Sequence, residues 1–369
     1  MMKTKLSVVW MSLFFGIILI APVTYFVFYG NFDTANYENR KLYEKPELKI
    51  NTIHEYASDY ELFFNDRIPF RNYLTRANSA ITYFLFHESV DSRVIVGDDH
   101  WLFYNGQAGI AISQYKGEKL YTNEELEKIA DNMVKTKNYL AERNCEFILL
   151  ITPNKERIYG EDYLPDQYGG LQPCNTEQII TYLRENTDIN VVWAGEAIEK
   201  YKEKNSEIAL YCHLDTHWSN VGAYIGSSEL LSALGIEIAP VEALQLTQTT
   251  NSGYDLANFM NLKKILANNE INYEISGYPV EGIKIINDDW PTEFRYNNVG
   301  KDERKLFVVR DSFFTAMRYI VGSQFNDSIM TRNDYFKKEM VDIEKPDIFV
   351  YETVERYDER LLTFVLTDD

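Results

Sequence analysis

The stretch Leu306-Phe-Val-Val-Arg310-Asp311-Ser312-Phe313 decides how this chain is read. Four apolar residues make a strand and a helix is expected from about Phe313, which leaves Ser312 at the junction. Open α/β sheets bind ligands in the crevice beyond the carboxyl ends of their strands. A serine at that edge projects into the crevice. Its own N–H sits at a helix N-terminus, where a developing oxyanion is stabilised. A plain N-cap serine has the same local sequence, so the chemistry depends on what other segments supply.

Strands and helices alternate outward from this point. Thr122-x-x-Glu125 is a capping box that opens a helix to about Arg143. Phe147–Thr152 is a continuous apolar run stopped by Pro153, the pattern of a buried parallel strand. Asn175-x-x-Gln178 opens a second helix, and Ile189–Trp193 is a short strand. Ser219 caps a helix ending at Gly235, and Ile348–Tyr351 is a further strand. This rhythm predicts a three-layer, flavodoxin-like α/β domain, a parallel sheet with helices on both faces, over residues 91–369. Val94–Tyr104 reads as a β-hairpin around a Gly-Asp-Asp turn. Residues 240–300 have no clear period and are expected to be an insertion.

The N-terminus reads MMKTK and then runs 27 residues, Leu6 to Phe32, without a charge. That length spans a bilayer of roughly 30 Å. It is also longer than a signal-peptide core and lacks a good cleavage site. The expectation is a cytoplasmic tail over 1–5 and one transmembrane anchor over 6–30. Lys3 and Lys5 precede the span while Asp33 and Glu38 follow it, so the remainder is placed on the extracytoplasmic side. Residues 31–90 are expected to be a juxtamembrane, mostly helical region, broken at Ile68-Pro69 because proline disfavours helix in the residue before it.

Composition narrows the function. With 37 basic against 56 acidic side chains the net charge is −19, which repels phosphate backbones and excludes nucleic acid as a partner. Three cysteines without a CxxC spacing exclude a disulfide scaffold and a zinc ribbon. Aromatic residues reach 14%, suited to handling the flat faces of sugars.

What Ser312 lacks, His213-Leu-Asp215-Thr-His217-Trp218-Ser219 supplies. A serine nucleophile needs a base, and the base needs an orienting carboxylate. Asp215 and His217, two residues apart, share a face in extended backbone. Three other readings stay open: Asp215 as a helix cap, His217 as a core histidine beside Trp218, and His213, Asp215 and His217 as metal ligands. The last lacks a further ligand motif, so no metal and no cofactor is expected.

Together these segments resemble the SGNH-like acetyltransferases of the alginate O-acetylation type, the DHHW family. The resemblance is carried by Asp215-Thr-His217-Trp218, Glu38-Asn39-Arg40, Gly97 to Tyr104, and Pro153-Asn154-Lys155 with Tyr159. Gly253-Tyr-Asp255-Leu-Ala, Arg310-Asp311-Ser312-Phe313, Tyr351-Glu352 and Glu355-Arg356 complete it. It departs from the family strings at Thr216 and Arg310. It implies a permuted SGNH hydrolase-like fold, with Ser312 as nucleophile, His217 as general base and Asp215 orienting it. Asn154, Lys155, Trp218 and Arg310 are the residues expected to complete the oxyanion hole or touch substrate. It further implies a polysaccharide acceptor, and a membrane-bound O-acyltransferase as acetyl donor. An acetylesterase using the same residues and a non-catalytic glycan-binding factor are the competing functions.

Overall fold

The computed structural model describes residues 2–28, 41–68, 70–277, 283–299 and 301–368. Glu38-Asn39-Arg40 and Pro69 lie outside the described residues. The chain divides into two compact units, Met1–Asp91 with Ala257–Lys264, and Ser92–Leu256 with Ile265–Asp369.

The larger unit opens with the expected hairpin, β1 (Val94–Val96) antiparallel to β2 (Leu102–Tyr104). Nine further strands follow: β3 (Glu146–Thr152), β4 (Asn190–Trp193), β5 (Gln245–Thr249), β6 (Asn272–Ser276), β7 (Lys284–Asp289), β8 (Glu293–Asn297), β9 (Asp302–Arg310), β10 (Phe325–Arg332) and β11 (Ile348–Val354). Seven of them form one sheet in the order β4-β3-β11-β9-β10-β8-β7. The five from β4 to β10 are parallel. β8 and β7 add an antiparallel hairpin at one edge.

Helices cover both faces, and the strand pattern shows why. Successive side chains point to opposite faces. Ile148, Leu150, Leu306, Val308, Ile348 and Val350 therefore join one core, with helices Lys155–Tyr163, Gly195–Lys204, Asn220–Ala233 and Phe314–Gly322. Their neighbours Phe147, Leu149, Ile151, Phe307, Val309, Phe349 and Tyr351 join the other, with helices Asn123–Ala141, Asn175–Asn186 and Glu339–Glu344. Strands buried on both faces need unbroken apolar runs, as found here.

The helix starts follow their caps. Thr122 and Glu125 close the expected box, with bonds of 2.9 and 3.3 Å. Ser219 caps Asn220–Ala233 by accepting from the Gly222 N–H at 3.3 Å. The second helix differs from expectation: Cys174 is its N-cap, and Glu177 accepts the Cys174 N–H at 3.0 Å. The Asn175 side chain instead donates to Asp358 at 3.1 Å. Cys145, Cys174 and Cys212 are three separate buried thiols.

Residues 240–300 are more regular than the sequence suggests. They supply the β5–β6 ribbon and the β7–β8 edge of the main sheet.

In the smaller unit, helix Met2–Val27 contains Ser7–Thr24, a stretch of mean hydropathy 2.1 that is long and apolar enough to cross a membrane. Helices Ile53–Asn65 and Arg71–Ile81 follow, and the second runs on through a wider turn, Thr82–Phe86. Arg76 donates to the Asn261 carbonyl and side-chain oxygens at 3.3 and 3.1 Å.

Candidate active site

Asp215 and His217 sit at the tip of a tight loop leading into helix Asn220–Ala233. The loop is closed by a Tyr211–Trp218 bridge and by the Cys212 N–H donating to the His217 carbonyl at 3.1 Å. Its buried backbone groups all need partners, and charged side chains provide most of them. The Lys155 ammonium donates to the carbonyls of Leu102, Cys212, His213 and Asp215 at 2.6, 2.6, 2.8 and 3.0 Å. From the other side Glu270 accepts the His213 and Leu214 N–H groups at 2.6 and 3.2 Å. Asp255 accepts the Thr216 N–H at 2.8 Å and its hydroxyl at 2.6 Å.

Ser312 lies where β9 ends and helix Phe314–Gly322 begins, as the sequence predicts. Asp311 fixes the corner. Its carboxylate accepts the N–H groups of Phe313 and Val354, both at 2.7 Å. The Asp311 N–H donates to Glu352 at 2.8 Å. Burial, together with the neighbouring Asp311 charge, pushes the Glu352 carboxyl well above the usual range. Among the described residues no acceptor engages the Ser312 N–H.

The two corners meet. His217 Nε2 lies 2.9 Å from Ser312 Oγ, and His217 Nδ1 lies 2.6 Å from Asp215 Oδ1. Asp215 also accepts the His217 N–H at 3.0 Å and the Asp255 N–H at 3.1 Å. Gly253 lets this carboxylate approach closely: a Cβ there would stand 2.5 Å from Asp215 Oδ2. Burial disfavours both charges, but their attraction outweighs it. The Asp215 pKa is therefore held below the ordinary carboxylate range, and the His217 pKa is raised above its ordinary value. Asp255, 3.9 Å from His217 Nδ1, is pushed up to about 6 by burial and by the Asp215 charge. A hydroxyl bonded to an imidazole whose far nitrogen meets a buried carboxylate is the arrangement that activates a serine nucleophile. The line opens on a cleft of about 430 Å³ whose walls include Trp218, Asn220, Asn272, Trp290 and Arg318.

The other expected residues fall elsewhere. Lys155 is buried in its carbonyl cage, its ammonium taken up by four backbone carbonyls. Asn154 is also buried, its amide donating to Gln114 at 2.9 Å and its backbone N–H to Glu355 at 2.9 Å. Arg310 is fully buried behind the site, stacked over Phe294 at 4.2 Å and bonded to the carbonyls of Asp311 and Pro291, both at 3.1 Å. None of the three lines the cleft. Trp218 does; its indole N–H donates to the Phe313 carbonyl at 3.0 Å, tying the two corners together. The His213 imidazole packs at a tilt against Trp101 at 4.2 Å, and burial holds its pKa down to about 4; among the described residues it does not converge with Asp215 and His217, so the His213-Asp215-His217 metal set does not form. Asp215, His217 and Asp255 do converge within 4.8 Å, but protein donors already occupy both carboxylates. Asp255, Glu270, Trp290 and Arg318 carry no site assignment in the sequence reading. Only Asp255 had a signal, in Gly253-Tyr-Asp255.

A parallel α/β sheet with this serine, histidine and aspartate at its carboxyl edge, the acid and base preceding the serine in the chain, defines the class: a permuted SGNH-like fold. Residues 94–275 match the SGNH hydrolase-like domain of the acetyltransferase AlgX, so the resemblance to the alginate O-acetylation group stands. The probable alginate O-acetylase AlgJ of Pseudomonas syringae pv. tomato is 22% identical over 278 residues, covering 72% of this chain and 63% of that protein. The same-named protein of Azotobacter vinelandii is 24% identical over 215 residues, covering 56% and 51%. The chain thus spans less than two thirds of these relatives. Among solved structures, Bacillus cereus PatB1 with a sulfonyl adduct aligns at a TM-score of 0.51 and 15% identity over 74% of this chain and all of that one. A DHHW family protein from Eubacterium siraeum aligns at 0.50 and 13% identity, over 75% and 99%. These two share the fold.

Proposed function

We propose that this chain is a membrane-anchored, extracytoplasmic O-acetyltransferase that acetylates hydroxyls of an extracellular or cell-wall polysaccharide. The observation that carries the reading is the unbroken line from Ser312 Oγ through His217 to Asp215 at the cleft. Ser312 Oγ attacks the carbonyl of an acetyl donor while its proton passes to His217 Nε2, which then protonates the leaving group. The acetyl group is now an ester on Ser312. A sugar hydroxyl gives its proton to His217 and attacks that ester, and the proton returns to Ser312 Oγ. Asp215 keeps the ring in the required tautomer and stabilises the imidazolium. The unengaged Ser312 N–H is one donor for the oxyanion. The apolar N-terminal helix supports an anchor, with residues after it outside. On that side of the membrane no acetyl-coenzyme A is supplied, and a membrane-bound O-acyltransferase fits as the donor.

The test is intact mass of the full-length protein mixed with a chromogenic acetyl ester, beside Ser312→Ala. An acetyl-sized adduct on wild type alone is expected. Acetyl then appearing on added oligosaccharide selects transfer, and acetyl released only as acetate selects the esterase. No adduct and no ester cleavage in either protein refutes the reading.

A further inference from the structure

One wall of the Ser312 cleft is an aromatic ring that the chemistry above leaves unused. Trp290 is 56% exposed, yet it lines the same cleft as Ser312 and His217. It stands on the turn between β7 and β8, and that turn is pinned on several sides. The Thr292 hydroxyl donates to the Asp289 carbonyl and carboxylate at 3.1 and 2.7 Å. The Thr292 carbonyl accepts from the Arg332 N–H at 2.9 Å. The Pro291 carbonyl accepts from Arg310 at 3.1 Å, and the Arg310 guanidinium lies 5.9 Å from the centre of the indole. Single exposed apolar side chains are ordinary. An indole on a turn tethered by the buried Arg310, on the wall of the cleft that also holds the nucleophile, is a preorganised flat surface.

The rest of the cleft is largely apolar, with a few polar side chains among its lining. Asn220, Asn272, Ser252 and Arg318 are all on its walls. A pyranose ring has this same division, with C–H groups on its faces and hydroxyls around its rim. An apolar wall with a few placed polar groups is how such a ligand is oriented, and tryptophan combines a large apolar face with rigidity.

We propose that Trp290 is the stacking platform for a pyranose ring of the acceptor glycan, holding one ring hydroxyl toward Ser312 and His217; this rests on the transferase reading. In the step it serves, the sugar oxygen bonds to the acetyl carbon as the Ser312 Oγ–acetyl bond breaks. The sugar hydroxyl proton moves to His217 Nε2 and then to Ser312 Oγ.

The experiment measures how the acetyl-enzyme partitions between glycan and water. Full-length wild type, Trp290→Ala and Trp290→Phe are loaded with a chromogenic acetyl ester. Each receives chitopentaose or penta-mannuronate, a neutral and an acidic probe. Acetyl on glycan and free acetate are both quantified, so the ratio is independent of how fast each variant loads. The expected result is a saturable transfer to at least one probe in wild type. Its partition ratio falls at least tenfold in Trp290→Ala and recovers to within threefold in Trp290→Phe, with the change in the glycan KM. An unchanged ratio in Trp290→Ala overturns the platform, as does a Trp290→Phe protein no better than Trp290→Ala. A wild type that loads but transfers to neither probe also overturns it, while leaving the Ser312 assignment standing. A wild type that never loads overturns the Ser312 chemistry and the acceptor role with it.

Discussion

Replacing Lys155 by methionine separates a structural cation from one that acts on substrate. The ammonium has three N–H groups facing four carbonyls at 2.6 to 3.0 Å. Three charge-assisted bonds contribute roughly 4.5–9 kcal/mol, at about 1.5–3 kcal/mol each. Burying the ammonium costs several kcal/mol, so a few kcal/mol remain in its favour. Methionine fills a similar volume and removes the charge, but it leaves those buried carbonyls without a donor, at roughly 1–3 kcal/mol each before the loop relaxes. The expected net loss is about 3–5 kcal/mol. At roughly 2 °C per kcal/mol for a unit of this size, the melting temperature should fall by at least about 6 °C. Acetyl loading should fall with it, because the caged loop carries Asp215 and His217. The assay is thermal unfolding of the full-length protein beside the loading rate. A melting temperature within about 2 °C of wild type, with loading abolished, would refute the cage argument and return Lys155 to the oxyanion role the sequence suggested.

Three further outcomes follow from the same geometry. The base must be neutral to accept the Ser312 proton, and Asp215 raises the His217 pKa from 6.5. Loading should therefore rise with pH through a midpoint above 6.5 and then level off; a midpoint at or below 6 contradicts the pairing. Asp255→Asn removes a second negative charge 3.9 Å from the ring and one acceptor from Thr216. It should move that midpoint to lower pH and slow loading about tenfold, whereas Asp215→Asn should slow it by on the order of 10³-fold or more. An unmoved Asp255→Asn midpoint would deny that the two charges interact. Gly253→Ala places a Cβ 2.5 Å from Asp215 Oδ2, so the carboxylate must shift. Loading should drop at least tenfold with little change in melting temperature, and a wild-type rate would show that the carboxylate position is not critical.

The Ser-His-Asp line was legible because each part has a short-range signature. Ser312 follows an apolar strand directly, and Asp215 and His217 share one short loop. The double-sided core was legible too, since β3 and β9 contain the unbroken apolar runs Phe147–Ile151 and Leu306–Val309. What escaped was set by long-range contacts. A lysine after a strand reads alike whether it faces ligand or turns back into a carbonyl cage, and its partners here lie 53 to 60 residues away. β10 begins Phe325-Asn-Asp-Ser and β7 ends Asn287-Asp-Asp289, so polar residues mask strands whose pairing comes from neighbours. Trp290 gave no signal, because its exposure follows from a turn anchored by Arg310 and Arg332.

The position of β11 sets the order in which this molecule can be completed. It is the last strand among the described residues, yet it lies between β3 and β9 near the middle of the sheet. As synthesis proceeds from the N-terminus, β3, which ends at Thr152, and β4, which ends at Trp193, emerge early and wait for the strand beginning at Ile348 that joins them to β9 and β10. The loop bearing His217 and the corner bearing Ser312 belong to halves that only β11 bridges within the sheet. The nascent chain is thus an open half-sheet with unpaired edges until its final segment arrives, and such edges invite wrong pairing. Completion of this sheet is a late event, and a chaperone that shields the open edge of β3 would act until β11 is made.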